Sequence, residues 1–305
     1  MNGTLAPSIG LVASPDSTGR ATLDALMTAY QDARDTGWQG VLRPVGETAA
    51  MIRTVCGDLG EEMLRPFPAV DEGGLVRLVG GLVTDDPAKR VDQVVLLTGP
   101  DDPFGLVPEV AALKRQCVVQ RKPYLPNVET ARHWWRLETG RGARYWRPED
   151  RTVALVAHDA LKAQMLAFAD RHRDLLMRFK ARYATGTTGT LLNGHMPERL
   201  SPEERATLAP LVETLSPPTH EDWVQCLRSG PKGGDVEIAN MILDHTCDIV
   251  VFFEDPFVSR EHDADIQLLE RVVRLPGVRG VCFHDPQTAD TWAHRLGDHL
   301  ANVDQ

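Results

Sequence analysis

The chain carries one pattern of apolar segments twice, once in each half. Four pairs of segments correspond in the same order: "SIGLVAS" with "TVALVAH", "EGGLVRLVGGLV" with "KGGDVEIANMIL", "VDQVVLLTGPDDPF" with "CDIVVFFEDPF", and "LPNVETARHWW" with "FHDPQTADTWA". The spacing between them differs only by loop-sized amounts. Such a repeat indicates tandem duplication of one domain, so each half must fold into the same architecture.

Within each half, short strands alternate with helices. In the second half, "TVALVAHD" is rich in β-branched residues and leads into a helical pattern over 160–180, and "CDIVVFFEDP" is a buried strand. Alternation of this kind predicts the α/β class, with a mostly parallel, Rossmann-like sheet covered by helices on both faces. In such sheets, ligands bind at the carboxyl ends of the strands.

A length of 305 residues suits two domains. We predict a first domain over 1–137, a linker over 138–150 and a second domain over 151–305, with an insertion around 195–223. The insertion contains "SPEERATLAPLVETL", where an N-cap serine, a proline and two acids predict a helix. This helix is either a lid over a site or a decoration.

The net charge and the cysteines limit which classes of partner, metal site and cellular compartment we expect. The net charge of −10 argues against nucleic acid or a membrane surface as the main partner. The longest apolar runs are strand-sized rather than membrane-sized. The five cysteines are scattered without a CxxC spacing, so we expect reduced, mostly buried thiols, no metal site and a cytoplasmic protein.

The two halves share apolar residues but not polar ones. His158 in the second half corresponds to Ser14 in the first, and Asp235 corresponds to Leu75. The three threonines of "ATGTTG" correspond to a single threonine in "PVGETA". The first half folds without these polar groups, so we expect the chemistry in the second half.

The segment "YATGTTG" follows a helical run and contains small residues and hydroxyls. We predict a turn between a strand ending near Tyr183 and a helical segment beginning near Thr190. Glycines let backbone N–H groups approach an oxyanion, and hydroxyls add donors, so the turn is suited to a phosphate. A Gly-rich structural turn is the alternative, and a Walker loop is excluded by its missing lysine. The candidate phosphate-binding residues here are Thr185, Gly186, Thr187, Thr188 and Gly189.

Titratable residues follow the strands of the second half. His158, Asp159 and Lys162 form an HDxxK motif, in which Asp159 is either functional or a helix cap beside a solvated lysine. In "SGPKGGD", Ser229 and Gly230 offer further donors. The following carboxylate, at position 235, either caps the next helix or serves as a general base.

A second acidic segment, "EDPFVSREHDAD", follows a buried strand. It contains Asp255, His262 and Asp265. A histidine among acids is unusual for an ordinary surface loop, so we predict that His262 is an electrophile or a proton shuttle.

Together these motifs resemble the methylglyoxal synthase family. "VALVAHDxxK", "YATGTTG", "SGPxGGD", "FFxDP" and "HDxD" occur in the family's order across nearly the whole second half. The resemblance implies conversion of dihydroxyacetone phosphate to methylglyoxal and inorganic phosphate without a metal or organic cofactor. It also implies a homo-oligomer.

The resemblance further implies a role for each matching residue. Asp235 would remove a proton from C3 of the substrate, and His262 would polarise the C2 carbonyl. Apart from the resemblance, the acidic cluster of Asp159, Asp255 and Asp265 would either raise the pKa of a neighbouring acid or steady His262, and the sequence leaves both open. His158 would lie beside the substrate, whose phosphate would be bound by Lys162, Thr185, Thr187, Thr188, Ser229 and Gly230.

Three departures from the family bear on this interpretation. The additional first half suggests a trimer of two-domain chains as a pseudo-hexamer, with a hexamer as the alternative. The insertion lengthens a family link, and the family's arginine-bearing tail is missing after "DHLANVDQ". A phosphate-ester-sensing module of the same fold and an inosinate-cyclising enzyme are the rival functions. A sensor has no use for a base, so Asp235 and His262 favour the enzyme.

Overall fold

The computed structural model describes residues 6–15, 17–99, 102, 107–140, 146–198, 200–215, 222–255 and 263–303, with backbone alone at 17–18, 263–267 and 303. The chain divides into two compact units. The first comprises Met1–Gly140 and Arg274–Gly277, and the second comprises Arg141–Val273 and Val278–Gln305. Each unit contains one sheet, in which all described strand pairs are parallel.

The sheet of the first unit has four strands: β1 (Ser8–Ala13), β2 (Val41–Pro44), β3 (Gln93–Leu97) and β4 (Tyr124–Leu125). Their order is β2-β1-β3-β4. The helices are α1 (Ser17–Arg34), α2 (Gly46–Cys56), α3 (Gly74–Val83), α4 (Pro108–Val119) and α5 (Val128–Glu138). Every residue of β3 is buried, as expected for a parallel strand covered on both faces.

The sheet of the second unit has five strands: β5 (Thr152–Ala157), β6 (Ala181–Ala184), β7 (Gln225–Cys226), β8 (Ile249–Phe253) and β9 (Val281–Phe283). Their order is β7-β6-β5-β8-β9. The helices are α6 (Lys162–Arg171), α7 (Arg173–Met177), α8 (Gly186–Leu192), α9 (Pro202–Leu215), α10 (Gly234–Leu243), α11 (Asp263–Val273) and α12 (Pro286–Val303). The predicted α/β class with parallel sheets is confirmed.

Each unit contains an equivalent backbone hydrogen bond beside its own sheet. In the first unit, the N–H of Gly46 donates to the carbonyl of Pro68 at 3.0 Å. In the second, the N–H of Gly186 donates to the carbonyl of Arg228 at 2.9 Å. Both donors begin the helix that follows the second strand of their unit. The correspondence read from the apolar segments therefore extends to hydrogen bonding.

The helix after β6 begins earlier than predicted. It starts at Gly186 rather than near Thr190, so Thr187 and Thr188 lie in its first turn. Glycine and threonine have low helix propensity, which concealed this start in the sequence. The hydrogen bond from Gly186 to Arg228 is a tertiary contact that sequence spacing does not reveal.

The helix predicted in the insertion is confirmed as α9. Its start is a capping box: the N–H of Ser201 donates to Glu204 Oε2 at 2.8 Å, and the N–H of Glu204 donates to Ser201 Oγ at 3.2 Å. The apolar side of α9 is buried, and the helix packs against α6.

The structure can be compared with two further expectations from the sequence, reduced cysteines and apolar segments too short to cross a membrane. All five cysteines are free, and the buried ones are Cys117, Cys247 and Cys282. Burial raises the pKa of the Cys247 thiol to about 12, which keeps it protonated. Among the described residues, no helix combines the length and the apolar character needed to cross a membrane.

Candidate active site

A cavity of about 50 Å³ lies at the carboxyl end of β5 in the second unit. This volume exceeds that of a single water site several times, so it accommodates a small polar ligand. Eight of the residues singled out from the sequence line the cavity: His158, Asp159, Lys162, Thr185, Thr187, Thr188, Gly230 and Asp235. The parallel sheet brings them together because the carboxyl ends of its strands share one edge.

His158 directly follows β5 and is held by two backbone contacts. Its N–H donates to the carbonyl of Phe253 at 3.0 Å, and its Nδ1 accepts from the N–H of Asp255 at 3.0 Å. The neutral ring therefore carries its proton on Nε2. The ring packs edge-on against Phe252, with centroids 5.1 Å apart. These contacts fix the orientation of a buried imidazole at the cavity.

Lys162 is a buried cation at the same cavity. Its ammonium pairs with the carboxylate of Asp159, whose side chain is 63% exposed while that of Lys162 is 5% exposed. The alternative of a solvated lysine is therefore wrong, because the side chain of Lys162 is buried and lines the cavity. Burial of an ammonium is costly unless anions compensate it. Together with the neighbouring hydroxyls, this ammonium is a donor suited to an anionic ligand.

The threonines of α8 divide into two groups. Thr185, Thr187 and Thr188 are buried and line the cavity, and Thr185 Oγ1 donates weakly to Thr188 Oγ1 at 3.5 Å. Thr190 does not line it, because its hydroxyl donates to the carbonyl of Gly186 at 2.7 Å within the helix. The first group therefore supplies hydroxyls to the cavity, and Thr190 supports the helix.

Asp235 is the second residue of α10 and is 4% exposed. It does not cap this helix, since the N-cap is Gly233 and no side chain caps it. Instead, the carboxylate lies against Gly230, where an added Cβ would be 2.8 Å from Asp235 Oδ2. Glycine at 230 therefore allows the carboxylate and the backbone turn to share the cavity.

The backbone turn before α10 depends on two successive glycines. Gly233 has φ 96°, in the left-handed region that favours glycine. At Gly234, an added Cβ would lie 2.0 Å from the carbonyl oxygen of Arg228. This turn sets the start of α10 and hence the position of its second residue, Asp235.

Gly186, Gly189 and Ser229 are not among the residues that line the cavity. An added Cβ at Gly186 would lie 2.9 Å from Ser229 N, and one at Gly189 would lie 2.6 Å from Cys226 Sγ. The two glycines therefore let α8 approach the segment after β7. Their observed contribution is close backbone packing next to the cavity.

The second acidic segment is only partly described. Asp255 acts on the site through its backbone N–H, which holds His158, while its side chain is half-buried. His262 lies outside the described residues. The backbone of Asp265 is in α11, but its side chain lies outside the described part.

The apolar wall of the cavity was missed by sequence reasoning. It consists of Val156, Ala157, Pro231 and Phe252. The parallel register pairs Val156 with Phe252, which places both beside the polar groups. The apolar strand ends were visible in the sequence, but the register that aligns them was not. No residue of α9 lines the cavity, so packing on α6 is the observed contribution of that helix.

Comparisons with known proteins agree with the motifs. Methylglyoxal synthase of Thermus thermophilus is 35% identical over 128 residues, which cover 42% of this chain and 82% of that protein. That of Brucella anthropi is 37% identical over 120 residues, covering 39% of this chain and 77% of that protein.

A solved structure gives a further match. The crystal structure of methylglyoxal synthase from Elizabethkingia anophelis NUHP1 matches with 31% identity, 48% coverage of this chain, 78% coverage of that chain and a TM-score of 0.34. No model of a protein family matches the chain. On the identity to the curated relatives and the coverage of their length, the chain belongs to the methylglyoxal synthase family.

Proposed function

We propose that this chain is a methylglyoxal synthase, a carbon–oxygen lyase that converts dihydroxyacetone phosphate to methylglyoxal and inorganic phosphate in the cavity of the second unit. One observation carries the proposal: the buried carboxylate of Asp235 shares a small cavity with the buried ammonium of Lys162. A cation with neighbouring hydroxyls suits a phosphate dianion. A carboxylate beside it suits the removal of a proton from the bound substrate.

In the proposed reaction, Asp235 takes a proton from C3, and the electron pair of the broken C–H bond forms an enediolate with charge on the C2 oxygen. The proton of the C3 hydroxyl passes to the C2 oxygen. The electrons of the broken O–H bond form the C3 carbonyl, the C2–C3 double bond shifts to C1–C2, and the C1–O bond breaks, so that phosphate leaves with the bridging oxygen. The enol product then takes at C1 the proton held by Asp235, gives its C2 hydroxyl proton to the released phosphate and becomes methylglyoxal.

Each proposed residue meets one requirement of these reaction steps. The leaving phosphate gains charge, which the ammonium of Lys162 and the hydroxyls of Thr187 and Thr188 would stabilise. The Nε2 proton of His158 is available to an oxygen of the substrate, because the Nδ1 atom already accepts a hydrogen bond. His262 remains the proposed partner of the C2 carbonyl. The reaction includes no net oxidation, so the proposal needs no redox cofactor.

A direct assay tests the proposal. Purified full chain is incubated with dihydroxyacetone phosphate, and methylglyoxal and phosphate release are measured together. Equal amounts of both products support the lyase. Saturable binding of phosphate esters without product would instead support the rival function, a phosphate-ester-sensing module without catalysis.

Gly230→Ala is expected to lower kcat by at least about tenfold while the fold is kept. The added methyl group would lie 2.8 Å from Asp235 Oδ2 and so displace the proposed base. Activity and thermal unfolding are measured side by side. Gly297→Ala in α12 is the matched control, because a Cβ there meets no atom within 4 Å. Equal activities of the two variants would contradict the proposed position of the base.

We further propose that the first unit is a degenerate copy of the same domain that serves as a scaffold. The N–H of Val70 donates to Glu47 Oε1 and Oε2 at 3.0 and 3.2 Å. The equivalent hydrogen bonds of Gly46 and Gly186 align Val70 with Gly230. The carboxylate of Glu47 therefore occupies, in the first unit, the position that corresponds to the proposed anion site of the second. Ser14 and Leu75 replace the histidine and the base.

Glu47→Gln is therefore expected to leave kcat and KM for dihydroxyacetone phosphate unchanged within about twofold, since an exposed substitution away from the site has little effect. Steady-state kinetics on the full chain provide the test. A tenfold loss would show that the first unit takes part in catalysis and would contradict the scaffold proposal.

Assembly and location are also proposals. We propose a homo-oligomer, either a trimer of two-unit chains as a pseudo-hexamer or a hexamer, which the mass in solution distinguishes. We propose a cytoplasmic location because all five thiols are free, as is usual in a reducing compartment.

A further inference from the structure

Three side chains with metal-binding atoms converge in the second unit, away from the cavity described above. They are His172, Asp290 and His294, whose ligand atoms all lie within 4.8 Å of one another. His172 directly follows α6, while Asp290 and His294 lie one turn apart on α12. Lys162 begins the same α6, so the cluster lies about 15 Å along the helix from the cavity.

The distances within the cluster suit a tetrahedral ion. His172 Nε2 is 2.8 Å from Asp290 Oδ1, and His294 Nε2 is 3.9 Å from Asp290 Oδ2. Zinc bonds to nitrogen and oxygen are about 2.0–2.2 Å, which places tetrahedral ligand atoms about 3.3–3.5 Å apart. One separation is shorter and the other longer than that value, so small side-chain movements would bring the three residues into ligand positions. The rings of the two histidines lie nearly perpendicular, at 86°, with centroids 4.9 Å apart.

The three side chains of the cluster differ in their exposure to solvent. The side chain of His172 is 6% exposed, that of Asp290 is 22% exposed and that of His294 is 61% exposed. His172 and Asp290 therefore offer the two less exposed ligands, and His294 offers the most exposed one.

We propose that His172, Asp290 and His294 bind a divalent transition-metal ion of the zinc class and so join the end of α6 to α12. Two imidazoles and one carboxylate form a recognised ligand set for such ions. Water would supply the fourth ligand, since the side chain of His294 is exposed. This proposal does not depend on the proposed catalytic function.

The competing explanation is a structural ion-pair cluster without a metal. Arg171 also donates to Asp290 Oδ1, so the carboxylate already has a cationic partner. The two explanations predict opposite results for Arg171→Gln. If the cluster binds a metal, removing the competing cation strengthens Zn²⁺ binding. If the cluster is only an ion pair, the variant binds Zn²⁺ no better than the parent.

The test uses the full chain after treatment with a chelator. Zn²⁺ is titrated in competition with a chromophoric chelator, and Co²⁺ is titrated while its visible absorption bands are followed. We expect one bound ion per chain and tetrahedral Co²⁺ bands. His294→Ala and Asp290→Asn should each weaken Zn²⁺ binding by about a hundredfold or more, which exceeds the effect of losing an indirect contact. Zn²⁺ should raise the Tm of the parent and not that of His294→Ala.

His195→Ala is the matched control. His195 is also exposed and faces a carboxylate, with Nε2 3.8 Å from Asp222 Oδ1, but it belongs to no three-ligand cluster among the described residues. Its Zn²⁺ affinity should equal that of the parent. Equal affinity in the parent and His294→Ala, or binding in Arg171→Gln no stronger than in the parent, would overturn the proposal.

Discussion

Asp235→Asn is expected to lower kcat for methylglyoxal formation by about a thousandfold or more, while inorganic phosphate binds nearly as it does to the parent. The amide has almost the shape of the carboxylate, so the buried position next to Gly230 stays filled. What it loses is the basic oxygen that accepts the C3 proton. Steady-state kinetics and phosphate titration on the same preparation separate these two effects.

The control for this prediction lies on the same helix. Asp244 is the exposed C-cap of α10, and Asp244→Asn should leave both kcat and phosphate affinity unchanged. The first unit has Leu75 at the corresponding position, so no residual turnover from it is expected in Asp235→Asn. Turnover within a few-fold of the parent would remove Asp235 from the mechanism.

A double variant, Thr187→Val with Thr188→Val, is expected to bind phosphate and substrate at least about a hundredfold more weakly. Each hydroxyl lost removes a charge-assisted hydrogen bond, which contributes roughly 1.5–3 kcal/mol. Valine keeps the shape of the buried side chains, so the fold of the unliganded chain should persist. Added phosphate should raise the Tm of the parent by mass action and leave that of the variant nearly unchanged.

Thr190→Val is the matched control, because it removes a hydroxyl of the same helix that donates to the carbonyl of Gly186 and does not line the cavity. This variant should keep the full rise in Tm with phosphate. An equal phosphate-induced rise in the double variant and the control would mean that the hydroxyls only shape the start of α8. The phosphate-binding role of this helix start would then be withdrawn.

Sequence spacing identified the half of the chain that contains the cavity but not the local geometry of "YATGTTG". Three threonines and two glycines in seven residues indicated donors for an anion, and three of those donors line the cavity. The same residues are poor helix formers, so the spacing predicted a turn where α8 begins at Gly186. Local propensity misplaced the helix start because a contact with Arg228, distant in the chain, determines it.

The lysine of the HDxxK motif shows the same limit. Its spacing from His158 predicted a shared side of the first turn, and both residues do line the cavity. Whether its ammonium faces solvent or the interior depends on what packs around the turn. Sequence alone therefore left open a solvated lysine, and only the packed structure showed a buried cation paired with Asp159.

The sequence by itself determined the parallel α/β class and the end of the sheet at which the polar residues collect. The reason is that strand and helix periodicity are local properties, and alternation of the two forces parallel strands whose carboxyl ends share an edge. Only the tertiary structure decided which side chains meet across that sheet. Val156 meets Phe252 through strand register, and His172 meets Asp290 across 118 residues of chain. Such contacts depend on register and on the path of the intervening loops, which no local spacing encodes.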